Sequence, residues 1–418
     1  LLALIAVRGM AHFWPADVVQ MNYQVPGQPS IQVIGEIRET ETVPAAALRD
    51  GGNPVDPSLQ YAARSLLKTG NRDLLGSDFR WIIEPFVSEQ ETPEALMVVE
   101  RREWGNLYGY LESISESGVS IKTDSSWDEL QKRIDRVDNL HGQIRDIEKN
   151  DIGSINYKME DLRLERRRLE LDDALSQQVL KQLEIEKAKL QSKYEKLQQQ
   201  LNNLYSDIAR DSMSVRVMGG QLVSVPLSKV VHAYRPNAMG VFGKTGFYIA
   251  KFWEFLSDEP REANTEGGIF PALFGTVMMV VLMSVMVMPF GVVAAVYLHE
   301  YAKQGLITRI IRVAVNNLAG VPSIVYGVFG LGFFVYMLGG SLDKLFFPEA
   351  SPSPVFGTPG LLWSSLTLAL LTVPVVIVAT EEGLARIPKA IREGSLALGA
   401  TQAETLWRTV IPLSLIHI

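Results

Sequence analysis

The sequence predicts a polytopic α-helical membrane protein that carries a β-rich polar domain with a coiled coil inserted in it. Two contrasts and one periodicity predict this. The hydrophobic share of 47% over 418 residues hides a division. Up to about Asn264 the chain is charged, and beyond it come three uncharged apolar runs, each long enough for a bilayer that takes about 20 residues to cross. Within the polar half, short β-branched and aromatic stretches alternate with Pro, Gly and Asp clusters, as strands alternate with turns. Between them, Leu183, Leu190, Tyr194, Leu197, Leu201, Leu204 and Ile208 recur at sevens, fours and threes.

Composition removes several function classes. A net charge of -7 and a pI near 5.5 argue against nucleic acid as a partner. With no cysteine in the chain, disulfides, thiolate zinc sites and iron-sulfur clusters are excluded. The five histidines, His12, His141, His232, His299 and His417, are scattered and suggest no metal site. His299-Glu300 continues to Lys303, so the HExxH zinc pattern fails.

Both ends read as truncated. Residues 1–8 open on LLALIAV, too short to span, and read as the tail of a transmembrane helix. Residues 415–418 do not read as the start of a further helix, which leaves Ser414 as the last residue that fits the pattern. Residues 9–126 are expected to form the first part of a β-rich domain, with strands at Ile31–Ile37, Phe79–Val87 and Glu94–Arg102. Trp81, Trp104, Tyr108 and Tyr110 there are either core or a binding surface. Residues 127–210 are the coiled-coil insertion. Asn150 to Ser154 interrupts its pattern and is the expected hairpin tip, because a single helix of about 80 residues would reach about 120 Å and need another chain's seam.

Residues 211–264 return to the β domain through VRVMGGQLVSVPL (Val215 to Leu227) and end in an aromatic helix, Gly246 to Leu256, suited to a membrane surface. Just before it, AMGVFGKT (Ala238 to Thr245) satisfies a loose phosphate-loop pattern. Arg235-Pro236-Asn237 precede it, and Met239, Val241 and Phe242 intrude where small residues would let the backbone approach a phosphate, so no nucleotide is expected there.

The membrane half, residues 265–414, contains apolar runs at Ile269–Leu298, Val313–Leu338 and Leu361–Thr380, with Pro289, Pro322 and Pro374 in them. The loop after the first run carries Lys303, Arg309 and Arg312, and the stretch after the third carries Arg386, Lys389, Arg392 and Arg408. By the positive-inside rule both face the cytoplasm, which places the polar half outside. The runs hold no ionisable group. Asn316, Asn317, Ser323 and Tyr326 are the polar candidates for a translocation path, with interhelical hydrogen bonding as the alternative reading.

Glu381 to Pro412 reads as two short helices. Pro388 suits the start of the first and Gly399 the stop, while Thr401 and Glu404 make a capping box for a second helix expected to end before Pro412. Glu393-Gly394-Ser395, then Gly399 after three residues, then Ile411-Pro412, resembles the EAA loop of ATP-binding cassette (ABC) importer permeases. In that family the loop seats in a cleft of a separate ATPase subunit. Gly394, Ser395 and Ala397 are small enough for close approach, and Ile391 and Leu398 supply an apolar knob; with Glu393, Gly399 and Pro412 these are the expected coupling residues.

The resemblance sharpens along the rest of the membrane half. Asn264-Thr265-Glu266-Gly267-Gly268-Ile269, Phe274-Gly275-Thr276, the run Pro289 to Tyr301 and the run Val321 to Gly330 (VPSIVYGVFG) are similar to PstA-type permeases of bacterial phosphate ABC importers, in a long form with a large periplasmic insertion. The resemblance implies a multi-pass protein of the bacterial inner membrane that passes inorganic phosphate and catalyses no covalent chemistry. It also implies a PstC-like permease partner, two copies of an ATPase that holds ATP and Mg, a periplasmic phosphate-binding protein, and membrane lipid around the spans. No cofactor is expected on this chain. A permease for another oxyanion or small solute, and a membrane-anchored coiled-coil scaffold or sensor, are the alternatives.

Overall fold

The computed structural model describes residues 2–121, 126–261, 266–303, 305–318 and 320–416. Asn264 and Thr265 of the quoted motif, with His417 and Ile418, lie outside the described residues. The chain divides into two compact units, Leu1–Leu162 with Gln178–Phe270, and Arg163–Gln177 with Pro271–Ile418.

The first unit begins with helix α1 (Leu2–Ala11) and builds two large antiparallel sheets, beside a two-stranded pairing of Pro260–Arg261 with Glu266–Gly267. Strands β1 (Val18–Tyr23), β2 (Ile31–Pro44), β3 (Tyr61–Lys68), β4 (Phe79–Ile83) and β5 (Val87–Glu91) form one, in the order β4-β3-β2-β1-β5. Two short helices, α2 (Ala45–Asp50) and α3 (Arg72–Leu75), lie in its connections. The expected strand Phe79–Val87 is split, because Glu84-Pro85-Phe86 forms a 3₁₀ turn and Pro85 has no N–H for a ladder. Strands β6 (Met97–Arg101), β7 (Asn106–Glu116), β8 (Val119–Ile121), β9 (Asp211–Arg216), β10 (Leu222–Pro226) and β11 (Val230–Tyr234) form the second sheet, in the order β10-β9-β7-β6-β11 with β8 on β7.

Period-two alternation stacks these layers. Val98 of β6 and Leu96 just before it face one side, where they meet Val18, Ile34, Tyr108 and Tyr234. Met97 and Val99 face the other, against Leu130, Ile134, Val137, Leu201 and Ile208 of the helical arm. Burying such side chains contributes roughly 1.5–3 kcal/mol each. Tyr108, fully buried, donates its hydroxyl to Glu36 Oε1 at 2.9 Å. Trp81 is partly exposed with Arg64 stacked 4.3 Å from its ring centroid, so the four singled-out aromatics do not form one surface.

The arm leaves the second sheet as α4 (Ser126–Asp146), continues through a π-helical turn at Ile147–Ile152 into α5 (Gly153–Leu171), and returns as α6 (Gln177–Ile208). Asn150 to Ser154, expected as the tip, is therefore helical. The chain reverses at residues 172–176, where Asp173 takes φ 52°, a left-handed value that a short polar side chain tolerates. Glu116 and Asp211 pair across β7 and β9, so the arm departs and returns at one point of the sheet. Its root is clamped by fully buried Asp211, which accepts from Arg133 Nη1 at 2.7 Å, Arg136 Nη1 at 3.0 Å and Arg210 Nε at 3.0 Å. Burial alone would raise the Asp211 carboxyl, but the Arg210 hydrogen bond and the charges of Arg133, Arg210 and Arg136 hold it below the usual range. After β11, α7 (Val241–Ser257) follows. Lys244 of the phosphate-loop look-alike is ion-paired with Asp17.

In the second unit three helical segments are long and apolar enough to cross a membrane: Phe270–Tyr301, Ser323–Phe346 and Leu361–Ala385. The first is α8 (Phe270–Val296) with a π-helical turn at Tyr297–Tyr301, and it carries His299 and Glu300 at its end. It is followed by α9 (Leu306–Leu318). The second span differs from the expected Val313–Leu338. Residues 313–318 belong to α9, which ends at Leu318, and the span starts at α10 (Ser323–Phe329) with Pro322 as its cap. A ten-residue π-helical stretch, Gly330–Gly339, then leads into α11 (Gly340–Phe346). The third span is α12 (Leu361–Ala385).

Glycines set how closely these spans pack. A Cβ on Gly291 would lie 2.5 Å from Val376 Cγ1, and one on Gly330 would lie 2.2 Å from Thr367 Oγ1. Without water to drive association, such close backbone approach holds membrane helices together.

Candidate functional site

The third span runs into a helix-turn-helix. Arg386-Ile387-Pro388 ends α12; Pro388, at the cap position rather than the first helical one, starts α13 (Lys389–Ala397). Leu398 caps it and Gly399 follows at φ 89°. The Ala400 N–H reaches Ser395 O at 3.3 Å and the Gly399 N–H reaches Leu396 O at 3.0 Å, the two bonds of a Schellman stop. Helix α14 (Gln402–Thr405) starts on the expected capping box. The Glu404 N–H donates to Thr401 Oγ1 at 3.2 Å, and the Thr401 N–H to Glu404 Oε2 at 2.9 Å. The Thr401 N–H and hydroxyl hold the Glu404 carboxyl below its ordinary value. The helix does not stop before Pro412. A π-helical turn at Leu406–Val410 carries it into α15 (Ile411–Ile416), and the extra residue per turn relieves the clash that proline makes with the preceding turn.

Two devices fix this hairpin. Leu384, Ile387, Leu406 and Val410 make a small buried core beneath it, with Val296, Ile411 and Leu413 packed alongside. Above that core, polar contacts tie it to the end of the first span. Arg392 Nη1 lies 2.9 Å from Glu300 Oε1, Arg392 Nη2 donates to Leu384 O at 2.6 Å, and Gln402 Nε2 donates to Glu300 O at 3.2 Å. The Glu300 carboxylate also meets His299 Nδ1 at 2.9 Å. Arg312 on α9 adds a donor to Leu298 O at 3.1 Å and lies 3.4 Å from Glu381 Oε1.

The anticipated coupling residues divide. Ile391, Glu393, Gly394, Ala397, Leu398 and Gly399 are exposed on the hairpin, Leu398 at 91%, and a Cβ on Gly394 would meet nothing within 4 Å. Ser395 is instead half-buried, its hydroxyl 2.9 Å from Thr405 Oγ1, so its small size serves the contact between the two helices. Pro412 lies inside the continuing helix. Of the path candidates, Asn316 and Asn317 sit on α9 outside the span, and Ser323 is exposed at the first turn of α10. Tyr326 is buried and donates its hydroxyl to Leu318 O at 2.8 Å, bracing α10 against the end of α9. The sequence reading missed Glu300 and Arg392, whose one prior sign was a lone acidic residue at the end of an apolar run and a basic one in the loop.

Residues 287–418 match the family described as the binding-protein-dependent transport system inner membrane component. A phosphate transport system permease protein PstA of Mycobacterium leprae is 34% identical over 172 residues, 40% of this chain and 51% of the relative. PstA 1 of Mycobacterium tuberculosis is 36% identical over 149 residues, 36% of this chain and 42% of the relative. The chain is similar to PstA-type permeases. A PstC of Mesorhizobium japonicum is 30% identical over 191 residues, 43% of this chain and 58% of the relative. The chain thus spans about half the length of these relatives. The matched family segment contains all of Pro289 to Tyr301, all of VPSIVYGVFG and the whole helix-turn-helix, and it begins after Phe274-Gly275-Thr276. The family match therefore falls on the unit whose helix ends the Glu300–Arg392 contact joins.

Proposed function

We propose that the chain is the membrane permease subunit of an ABC importer that passes inorganic phosphate across the bacterial inner membrane, with its β-rich unit and arm in the periplasm. One observation carries this: a helix-turn-helix whose core and stop are internally satisfied, whose root is tied to the first span, and whose outer side presents Ile391, Glu393, Gly394, Ala397 and Leu398 to a partner. A hairpin that served only as a tail would need no such fixing. The partner is a separate ATPase, present in two copies and carrying ATP and Mg. A PstC-like permease completes the pore and a periplasmic phosphate-binding protein delivers the anion. This chain binds no cofactor, and its part is mechanical: displacement of α13 pulls on Glu300 through Arg392 and so on the end of α8.

The test is uptake of labelled phosphate in cells lacking their own high-affinity system, with the chain expressed alongside its partner subunits. ATP-dependent phosphate uptake that is lost with the ATPase supports the reading. Uptake of sulfate or molybdate with no change in phosphate moves it to another oxyanion permease, and no uptake with intact assembly moves it to a scaffold. Orientation is tested separately with Leu398→Cys and Val119→Cys, both at exposed positions of a cysteine-free chain. An impermeant thiol reagent should label the second alone in cells with a permeable outer membrane.

A further inference from the structure

Helix α7 has its faces reversed relative to an ordinary water-exposed helix. Its three charged residues all point into the first unit: Lys244 pairs with Asp17, Lys251 with Glu100 and with Glu254 at 2.8 Å, and Glu254 with His232 at 3.1 Å. Tyr248, Phe252 and Phe255 pack on Phe13, with ring centroids 6.4, 5.7 and 5.1 Å away. The outward face carries no charge. It shows Phe242 at 95%, Ile249 at 61% and Trp253 at 69% exposure, spaced seven and four residues apart along one stripe. Leaving three large apolar side chains in water, with the charges turned inward, forfeits roughly 1.5–3 kcal/mol for each side chain that could be buried.

The chain itself indicates what covers this stripe. The Ile269 N–H donates to Phe255 O at 2.8 Å and the Gly268 N–H to Glu259 O at 3.1 Å, so the last turn of α7 is hydrogen-bonded to the residue that precedes the first span at Phe270. A helix held at the point where the chain becomes membrane-spanning, with a tryptophan on its uncharged face, has the chemistry of the lipid headgroup and acyl boundary. We propose that Phe242, Ile249 and Trp253 lie in that boundary, so that α7 is an interfacial anchor of the first unit. The inference is independent of which solute is carried.

The cysteine-free chain permits a direct test. Nitroxide labels are placed at Ile249→Cys and Trp253→Cys, with Val119→Cys as a water reference and Val277→Cys, on the first span, as a lipid reference. The full chain is reconstituted into vesicles of phosphatidylethanolamine and phosphatidylglycerol, and collision with oxygen is compared with collision with a water-soluble nickel chelate. Labels at 249 and 253 should favour oxygen several-fold over nickel relative to the label at 119, approaching the label at 277. Nickel access equal to that at 119 would place the stripe in water and overturn the proposal. Low access to both would place it against protein and overturn it equally. Because the substituted side chains are exposed, the fold is not at risk, and Ala250→Cys on the same face provides a second position.

Discussion

Arg392 Nη1 sits 2.9 Å from Glu300 Oε1, which joins the helix-turn-helix after the third span to the end of the first across 92 residues of sequence. Both side chains are largely shielded from water, at 19% and 13% exposure, so the pair is not an ordinary surface bridge.

The first prediction concerns this pair. Glu300→Gln and Arg392→Met should each lower stability by about 1–3 kcal/mol, the range for hydrogen bonds to charged groups left without a partner. The double variant should fall short of the sum by about 0.5–3 kcal/mol, because the two share one contact. Thermal unfolding in mild detergent measures all three; additive losses would show that the pair is not coupled.

A second prediction concerns the stop at Gly399. At φ 89° a side chain is strained by roughly 1–2 kcal/mol, and more if β-branched. Gly399→Val should therefore weaken recovery of the ATPase on co-purification, and Gly399→Asn should do so far less, since Asn adopts the left-handed region. Glu393→Lys lies on the exposed side. Its interaction with the helix dipole is worth only about 0.3–1 kcal/mol, so a large loss of ATPase recovery there reports a partner contact.

The arm gives a third. Leu130, Ile134, Val137 and Ile144 of α4 are buried against the second sheet, so removing residues 127–210 should expose that face and prevent folding of the first unit. Replacing only residues 158–190 by a short Gly/Ser turn should leave it folded, because those residues lie beyond the buried root. Limited proteolysis and solution scattering of the two deletions separate the outcomes.

Acid should act through Glu254. Burial would raise its carboxyl, but His232 and Lys251 outweigh burial and bring it down from 4.5 to about 2. A carboxyl depressed in the folded state stabilises it fully above the unfolded value and loses that contribution as pH falls toward the folded one. Resistance to urea should therefore fall between about pH 4.5 and about pH 2, and Glu254→Gln should flatten that dependence.

Much of this was legible because it is periodic. Apolar and β-branched stretches bounded by turn residues marked strands at Ile31 to Ile37 and Glu94 to Arg102, and uninterrupted apolar length marked the first and third spans. Hydropathy could not see that Pro322 begins a helix instead of kinking one, since Val313 to Leu318 is as free of charge as Ser323 to Leu338. Asn150 to Ser154 carries turn residues, but a π-helical turn accommodates them. In the candidate site the stop at Gly399 and the cap at Thr401 are local chemistry and could be read directly. The Glu300–Arg392 contact is not local, and a single ion pair between distant segments leaves no repeating mark.

The glycine contacts of the membrane half bear on how such a chain drifts over generations. Exchanges among Val277, Val281 and Val285, all half or more exposed, alter neither apolarity nor fit and should pass unnoticed. A single methyl at Gly291 or Gly330 changes apolarity as little, yet collides with Val376 or Thr367. Selection in these spans should therefore follow the distance between helices, leaving the greasiest positions the freest to vary and the smallest the slowest to change.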